Sequence, residues 1–337
     1  MIQPISIGRH KIERPILLAP MSGVSDLPFR RLAWRYGVGL VVSEMVACEA
    51  LANKSKEMAS RMEGEGIGIH VVQLAGREEK WMAEGARIAE GDGADILDIN
   101  MGCPARKVTS GYSGSALMQD PDHALRLIEA TVNATSLPVC LKMRLGWDDS
   151  SINAPQIAER AENAGVQMIT IHGRTRCQFY KGKADWRAIK QVADAITVPL
   201  IANGDVTQLS QIDEIMNQSG ADGVMIGRGA YGRPWFPGYV ASRTCPDDQP
   251  PMPEPTLEEK AELAAEHYEA LLFHYGTKVG VRAARKHLGW YLDDAGIKSA
   301  EHRKNIMTGV EPVDVLKSLK QSFLEAASNL QNTQVAA

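Results

Sequence analysis

Asp98-Ile99-Asn100-Met101-Gly102-Cys103-Pro104 follows directly on Ala94-Asp95-Ile96-Leu97. An apolar run that stops in Gly-Cys-Pro reads as a short buried strand ending abruptly. It sets one cysteine at a strand's carboxyl end, beside Asn100, on a loop that continues through Gly111 and Gly114. Similar units recur along the chain: a short β-branched run, a polar loop, then a stretch with helical periodicity. The strand candidates are Ile16–Ala19, Leu40–Ser43, Ile69–Leu74, Ile96–Asn100, Val139–Arg144, Met168–Ile171, Leu200–Ala202 and Gly223–Ile226. Helices are expected over Glu79–Glu90, Pro121–Ala134, Ala154–Asn163, Trp186–Ala193 and Leu209–Met216, with Gly91, Gly165 and Gly220 placed for left-handed C-caps. Pro138 and Pro199 enter their strands first, where a missing N–H does least harm.

Eight strands alternating with helices predict an α/β fold, a (β/α)8 TIM barrel. A doubly wound sheet is the rival, but no G-x-G-x-x-G follows the first strand. A small hairpin over Ile5–Gly8 and Lys11–Glu13 precedes the barrel. The expected divisions are a barrel over 1–243, a linker over 244–255, a helical bundle over 256–330 and a frayed tail over 331–337. The linker is set by Pro246 to Pro255, which no regular element crosses intact. Thr256-Leu257-Glu258-Glu259 opens the bundle as a capping box, and helical patterns follow over Leu257–Phe273, Val279–Leu292, Ala300–Met307 and Val313–Leu330.

Composition narrows the class. The chain has 337 residues and a formal net charge of -4, from 37 Lys and Arg against 41 Asp and Glu. That argues against indiscriminate coating of nucleic acid and leaves a local basic face open. The cysteines, Cys48, Cys103, Cys140, Cys177 and Cys245, are odd in number, widely spaced and without C-x-x-C. No disulfide framework and no metal site is expected, and a reducing cytoplasm suits such a chain. No apolar run reaches the roughly 18 residues of a membrane span.

Strand alternation then picks out a site. Residues i and i+2 share a face, so Val71 aligns with Gln73, Asp98 with Asn100, Cys140 with Lys142 and Arg144, and Thr170 with His172 and Arg174. The seventh strand leads into Asn203-Gly204-Asp205. Any one of these residues alone fits a turn cap or a satisfied core group. Together, each apolar strand turns polar at the same end, and burying such groups unpaired would cost roughly 2 kcal/mol or more each. A polar ligand is expected among them. Gly204 and Asp205, with Gly227-Arg228-Gly229 after the eighth strand, occupy a barrel's usual phosphate position. Flavin mononucleotide and a sugar phosphate both fit there.

The ordered motifs Ala19-Pro20-Met21, Val72 to Gly76, Asp98 to Pro104, Leu141 to Arg144, Ile171 to Thr175, Asn203-Gly204-Asp205 and Gly227-Arg228 resemble those of the tRNA-dihydrouridine synthases over nearly the whole chain. Arg285-Lys286-His287 with Trp290-Tyr291 looks like the bacterial B-type subgroup. The resemblance implies an FMN enzyme, driven by NADPH, that reduces the 5,6 double bond of tRNA uridines. By motif match Pro20, Met21 and Ser22 line the flavin, Gln73 and Lys142 address its ring and oxygens, and His172 sits beside flavin or base. Asn203, Gly204, Asp205, Gly227 and Arg228 hold its ribityl phosphate. Cys103 is the proton donor and Asn100 holds the uracil. A cysteine thiol, with a reference pKa of about 8.5, is protonated near neutrality and suits that work.

The target uridine must be flipped out, with the protein gripping the surrounding backbone. Between Ala270 and Leu292 the chain carries Lys278, Arg282, Arg285 and Lys286 and no acidic residue. Arg282, Arg285 and Lys286 share one helix face. With Arg144, Arg174 and Arg176 near the barrel mouth they are the expected tRNA contacts, and a monomer is expected to suffice. The alternatives are a flavin oxidoreductase of free pyrimidines, like the dihydroorotate dehydrogenases, and a non-catalytic tRNA-binding protein.

Overall fold

The strands form because short apolar segments are buried on both faces, as parallel strands require; Val139–Arg144 is buried at all six positions. The computed structural model describes residues 1–245 and 250–335. It divides into two compact units, one of Met1–Gly229 with Pro237–Pro251, the other of Ala230–Phe236 with the chain from Met252.

In the first unit, β1 (Ile5–Ile7) and β2 (His10–Ile12) make the antiparallel hairpin. The barrel strands are β3 (Ile16–Leu18), β4 (Leu40–Val42), β6 (His70–Ala75), β7 (Ile96–Met101), β8 (Val139–Arg144), β9 (Met168–His172), β10 (Leu200–Asn203) and β11 (Gly223–Ile226), with a short β5 (Val46–Ala47) extending the β6 edge. Neighbours pair in parallel, and β4 bonds both β3 and β6, so the ring closes. The (β/α)8 barrel is therefore as expected. Two short helices, Cys48–Ala52 and Lys56–Met62, follow β5 and were not anticipated. Gly91 closes its helix, and the left-handed turn expected there falls on Gly93 (φ +88°), while Gly220 (φ +64°) does cap its helix.

The register sorts the barrel interior into layers. Leu17, Leu40, Val42, Val71, Ile96, Cys140, Met168, Ile201 and Met225 form one apolar cluster with Ile5, Ile7 and Ile12 of the hairpin. The hairpin thus plugs the amino end. Two residues further along the same faces come Gln73, Asp98, Lys142, Thr170 and Asn203, so polarity is confined to the carboxyl end.

The second unit holds the helices Leu257–Tyr275, Thr277–Asp294, Ala300–Thr308 and Pro312–Val335. The expected capping box is present, with Thr256 and Glu259 bonded reciprocally. Ala230–Phe236 groups with this unit, before the expected boundary at 243, because Tyr231 stacks on Trp290 at 3.9 Å and Arg233 meets Asp294 at 3.6 Å. Of the expected linker, residues 246–249 lie outside the described residues. The last helix continues past 330, and Ala336 and Ala337 of the expected tail also lie outside them. Among the described residues no helix is long and apolar enough to cross a membrane.

His267 is fully buried in this unit, its Nδ1 3.1 Å from the Tyr291 hydroxyl, and burial pulls its pKa down to about 3. The unfolded chain protonates this ring near its ordinary pKa of about 6.5, so folding is favoured above that pH and loses ground as pH falls towards the folded value. The slope is up to about 1.4 kcal/mol per pH unit. Denaturant titrations of the full chain between pH 7 and 4.5 are expected to show a shallower pH dependence for His267→Phe than for the unaltered protein; identical slopes would contradict this role.

Candidate active site

A chain of hydrogen bonds runs across the carboxyl ends of the strands and ends at Cys103. Gln73 Nε2 donates to Asp98 Oδ2 at 2.6 Å, and Asn100 Nδ2 donates to Gln73 Oε1 at 2.7 Å. Asn100 Oδ1 then accepts the backbone N–H groups of Cys103 (3.1 Å) and Gly102 (3.3 Å). An ionised carboxylate only accepts, so Asp98 turns the Gln73 amide, which turns the Asn100 amide, which holds the start of the cysteine loop. All three side chains are buried. Gly114 completes the loop's footing: its φ is +61°, and a Cβ there would come within 2.9 Å of the Cys103 carbonyl oxygen.

Lys142 lies in register with Asn100 on one side and Thr170 on the other. Its Nζ donates to Asn203 Oδ1 at 3.2 Å, while Asn203 Nδ2 donates to the Met225 carbonyl at 2.7 Å. Burial lowers the Lys142 amine to about 8, against the opposing charge of Asp98. Burial raises the Asp98 carboxyl to about 6, against the Gln73 hydrogen bond and the charge of Lys142. His172 is held well below its ordinary pKa by burial and by the charges of Lys142, Arg144, Arg174 and Arg228, so its ring is neutral.

The loops after β9, β10 and β11 are tied at Asp205, which has a φ of +57°. Its carboxylate accepts Arg174 Nη1 (2.9 Å) and Nη2 (2.5 Å), Arg228 Nη2 (3.0 Å) and the Ala184 N–H (2.8 Å). Burial alone would raise this carboxyl, but those hydrogen bonds and the two guanidinium charges outweigh it and hold it low. Arg174 is 1% exposed, whereas the Arg228 side chain is 46% exposed. Asp205 therefore anchors Arg228, the guanidinium left facing outward.

The expected site residues thus fall into groups. Gln73, Asn100, Lys142, His172 and Asn203 meet at the strand ends, with Gly204, Asp205, Gly227 and Arg228 beside them. Pro20 and Met21 are half-buried after β3, and Ser22 is exposed. Two guanidiniums expected to meet tRNA are instead built into the loops. Arg144 donates to the carbonyls of Gly102, Thr175 and Phe179, and Arg174 to those of Lys181 and Gly182 as well as to Asp205. Buried guanidiniums need such acceptors, which is why they turn inward. Arg176 is packed between Trp147 and Phe179, 4.5 and 4.7 Å from the two ring centres. In the helical unit Lys278 and Arg282 are exposed, while Arg285 and Lys286 are half-buried and Arg285 Nη2 donates to the Gly309 carbonyl at 3.3 Å.

Tyr180 was not anticipated. It sits beside His172 (ring centres 6.5 Å apart) and within 5.5 and 4.9 Å of the guanidiniums of Arg144 and Arg228. Its loop has no periodicity that would have marked it. Among the described residues no group of three or more His, Cys, Asp or Glu could hold a metal ion.

The family model for dihydrouridine synthase (Dus) matches residues 17–328. The chain belongs to the dihydrouridine synthase family. A probable tRNA-dihydrouridine synthase of Rhizobium leguminosarum bv. phaseoli is 57% identical over 309 residues, 91% of this chain and 95% of that protein. The tRNA-dihydrouridine synthase B of Vibrio cholerae is 41% identical over 316 residues, 93% of this chain and 98% of that protein. Among solved structures, TcOYE with pHBA superposes with a TM-score of 0.54 at 13% identity, covering 80% of this chain and 98% of that one. A 2-naphthoyl-CoA reductase complex gives 0.55 at 14% identity, covering 71% of this chain but only 51% of that one. Those two likenesses concern the barrel fold alone. Membership of the dihydrouridine synthase family makes this chain an enzyme, and the strand-end cluster is its candidate active site.

Removing the Asp205 charge leaves a buried Arg174 without its counter-ion. Asp205→Asn is therefore expected to destabilise this family member by about 3 kcal/mol, read as a lower denaturation midpoint at pH 7. The deficit should shrink as pH falls, because the unaltered carboxylate itself becomes protonated; a deficit independent of pH would contradict the charge's role.

Proposed function

We propose that this chain is an FMN-dependent enzyme that reduces specific uridines in tRNA to 5,6-dihydrouridine, with NADPH as electron donor. The observation that carries this reading is the juxtaposition of a buried ammonium with a cysteine loop held by the same strand ends. The polar layer suits a flavin. Lys142, a three-donor ammonium, has one acceptor among the described residues, and the buried Thr170 hydroxyl beside it in register has none. Two adjacent donors with capacity to spare suit the oxygens of a flavin's pyrimidine ring. Pro20, Met21, Ser22, Gln73, Lys142 and His172 would hold the ring. Asn203, Gly204, Asp205, Gly227 and Arg228 would hold the ribityl phosphate, Asp205 by aiming Arg228.

When bound, FMN supplies the hydride. The chain's residues supply the rest. Cys103 delivers a proton to the neighbouring carbon of the uracil. Lys142 contributes positive charge where an anionic ring is favoured. Neutral His172 accepts Arg174 Nη1 at its Nε2 (3.2 Å), which leaves its Nδ1–H as the donor for positioning. Asn100 already gives one N–H to Gln73 and its oxygen to the loop, which leaves one N–H for the uracil. The uridine reaches this mouth only after leaving its stack, and exposed Lys278 and Arg282 on the helical unit are the backbone contacts this reading assigns.

The purified protein is expected to be yellow or to take up FMN. Nucleoside mass spectrometry of tRNA from cells lacking the gene should show lost dihydrouridine, restored by the unaltered gene and not by Cys103→Ala. A protein that refuses FMN, or full restoration by the Cys103 variant, would overturn the flavin or the proton-donor assignment respectively. Arg282→Glu with Lys278→Glu should weaken tRNA binding roughly tenfold or more, with a reduced salt slope and unchanged flavin uptake; unchanged affinity would remove the helical unit from the interface.

A further inference from the structure

The loop that carries Cys103 is pinned at both ends and nearly untethered in its middle. At its start, Arg144 Nε donates to the Gly102 carbonyl at 2.8 Å, and the Ser115 N–H and hydroxyl both donate to the Cys103 carbonyl, at 3.1 and 2.8 Å. At its end, the Ser113 hydroxyl donates to the Gly76 carbonyl at 3.1 Å. Between them the single-turn helix Arg106–Thr109 buries none of its residues, so packing does little to fix it. Among the described residues, one side-chain hydrogen bond ties that helix to another part of the barrel. Arg176 Nη2 donates to Thr109 Oγ1 at 3.3 Å.

Arg176 is itself fixed by an unusual clamp. Its guanidinium lies 4.5 Å from the ring centre of Trp147 and 4.7 Å from that of Phe179. Trp147 is held under it because the backbone N–H groups of Arg176 and Cys177 donate to the Gly146 and Trp147 carbonyls, each at 2.9 Å. Arg176 Nε is buried and has no acceptor among the described residues. The stacking, not a carboxylate, therefore holds this cation, and its Nη2 edge is turned to the cysteine loop.

We infer that Arg176 is a positioning residue for Cys103: clamped by Trp147 and Phe179, it latches the loop through Thr109 and keeps the thiol at the barrel mouth. This rests on the reading of Cys103 as proton donor and displaces Arg176 from the direct tRNA contacts. Arg176 touches neither substrate nor cofactor. Its influence passes through the loop.

The test uses the full-length, flavin-loaded protein on a Cys177→Ser background, which removes the exposed competing thiol. Thr109→Val keeps the shape and deletes the latch acceptor; Arg176→Lys keeps the charge and deletes the planar stack. Tryptic cleavage at Arg106 and Lys107 and alkylation of Cys103 by iodoacetamide, both followed by mass, report loop opening without any catalysis. Each variant is expected to speed both by roughly five- to tenfold, as a lost tether lowers the local opening free energy. The double variant should go no further, because both changes break one contact. Dihydrouridine formation should fall in kcat with the KM for tRNA unchanged.

Unchanged cleavage and alkylation in both single variants would overturn the latch. So would weakened tRNA affinity with unaltered loop readouts, which would return Arg176 to the RNA interface. Full activity of Cys103→Ala would instead sink the proton-donor reading, and the two loop readouts would still decide the latch independently.

Discussion

A charged ammonium buried at Lys142 is the constraint around which the barrel interior is arranged. Taking such a group out of water is expensive unless oxygen atoms surround it. The strands answer with Asn203 Oδ1 at 3.2 Å and the charge of Asp98 one strand away. Asn203 can serve only because its own amide nitrogen is occupied by the Met225 carbonyl, which turns its oxygen towards the lysine. At the other end of the barrel the hairpin isoleucines leave no room for polar groups. The charge is thus confined to the mouth, and every neighbour that compensates it is also held there.

The same polarity logic extends to the cysteine. Asp98 sits under the Gln73 amide, and the orientation it imposes passes through Asn100 to the N–H of Cys103. A mutation at Asp98 would therefore disturb a residue on another element without touching it. The hydride side of the proposed chemistry is built on rigid strand ends, while the proton side hangs on a loop whose start is set by that relay. On that proposal, such a division would let a bulky RNA substrate enter past the loop while the cofactor platform stayed intact.

Much of this was legible from period-two alternation, because a closed parallel barrel makes strand parity and site membership nearly the same question. Gln73, Asn100, Lys142, His172 and Asn203 could be placed at one mouth from sequence, and the register does place them there. What parity cannot show is whether a polar side chain at the mouth faces a ligand or a backbone carbonyl. Arg144 ends β8 on the face of Lys142 and Arg174 follows β9 just beyond His172, yet their guanidiniums close loops, since each loop exposes carbonyls that need donors. Tyr180 and Thr109 lie on segments without periodicity, so nothing local marks them. Arg285 shows the same limit on a helix: its spacing matches Arg282, but the neighbouring Gly309 carbonyl draws its guanidinium inward.

Arginine is well suited to this double use because its planar head can be stacked and hydrogen-bonded at once, which a lysine ammonium cannot match. Arg174 satisfies its charge with Asp205, and Arg228 shares that carboxylate while staying half-exposed. Arg176 uses aromatic faces instead and has no ion pair among the described residues. The three differ in what holds them, and that difference separates an internal brace, an outward-facing guanidinium and the proposed loop tether. Net charge near neutrality is then no obstacle to binding RNA, because much of the basic content near the site is already committed to the protein, and only a few exposed cations are needed to grip a backbone.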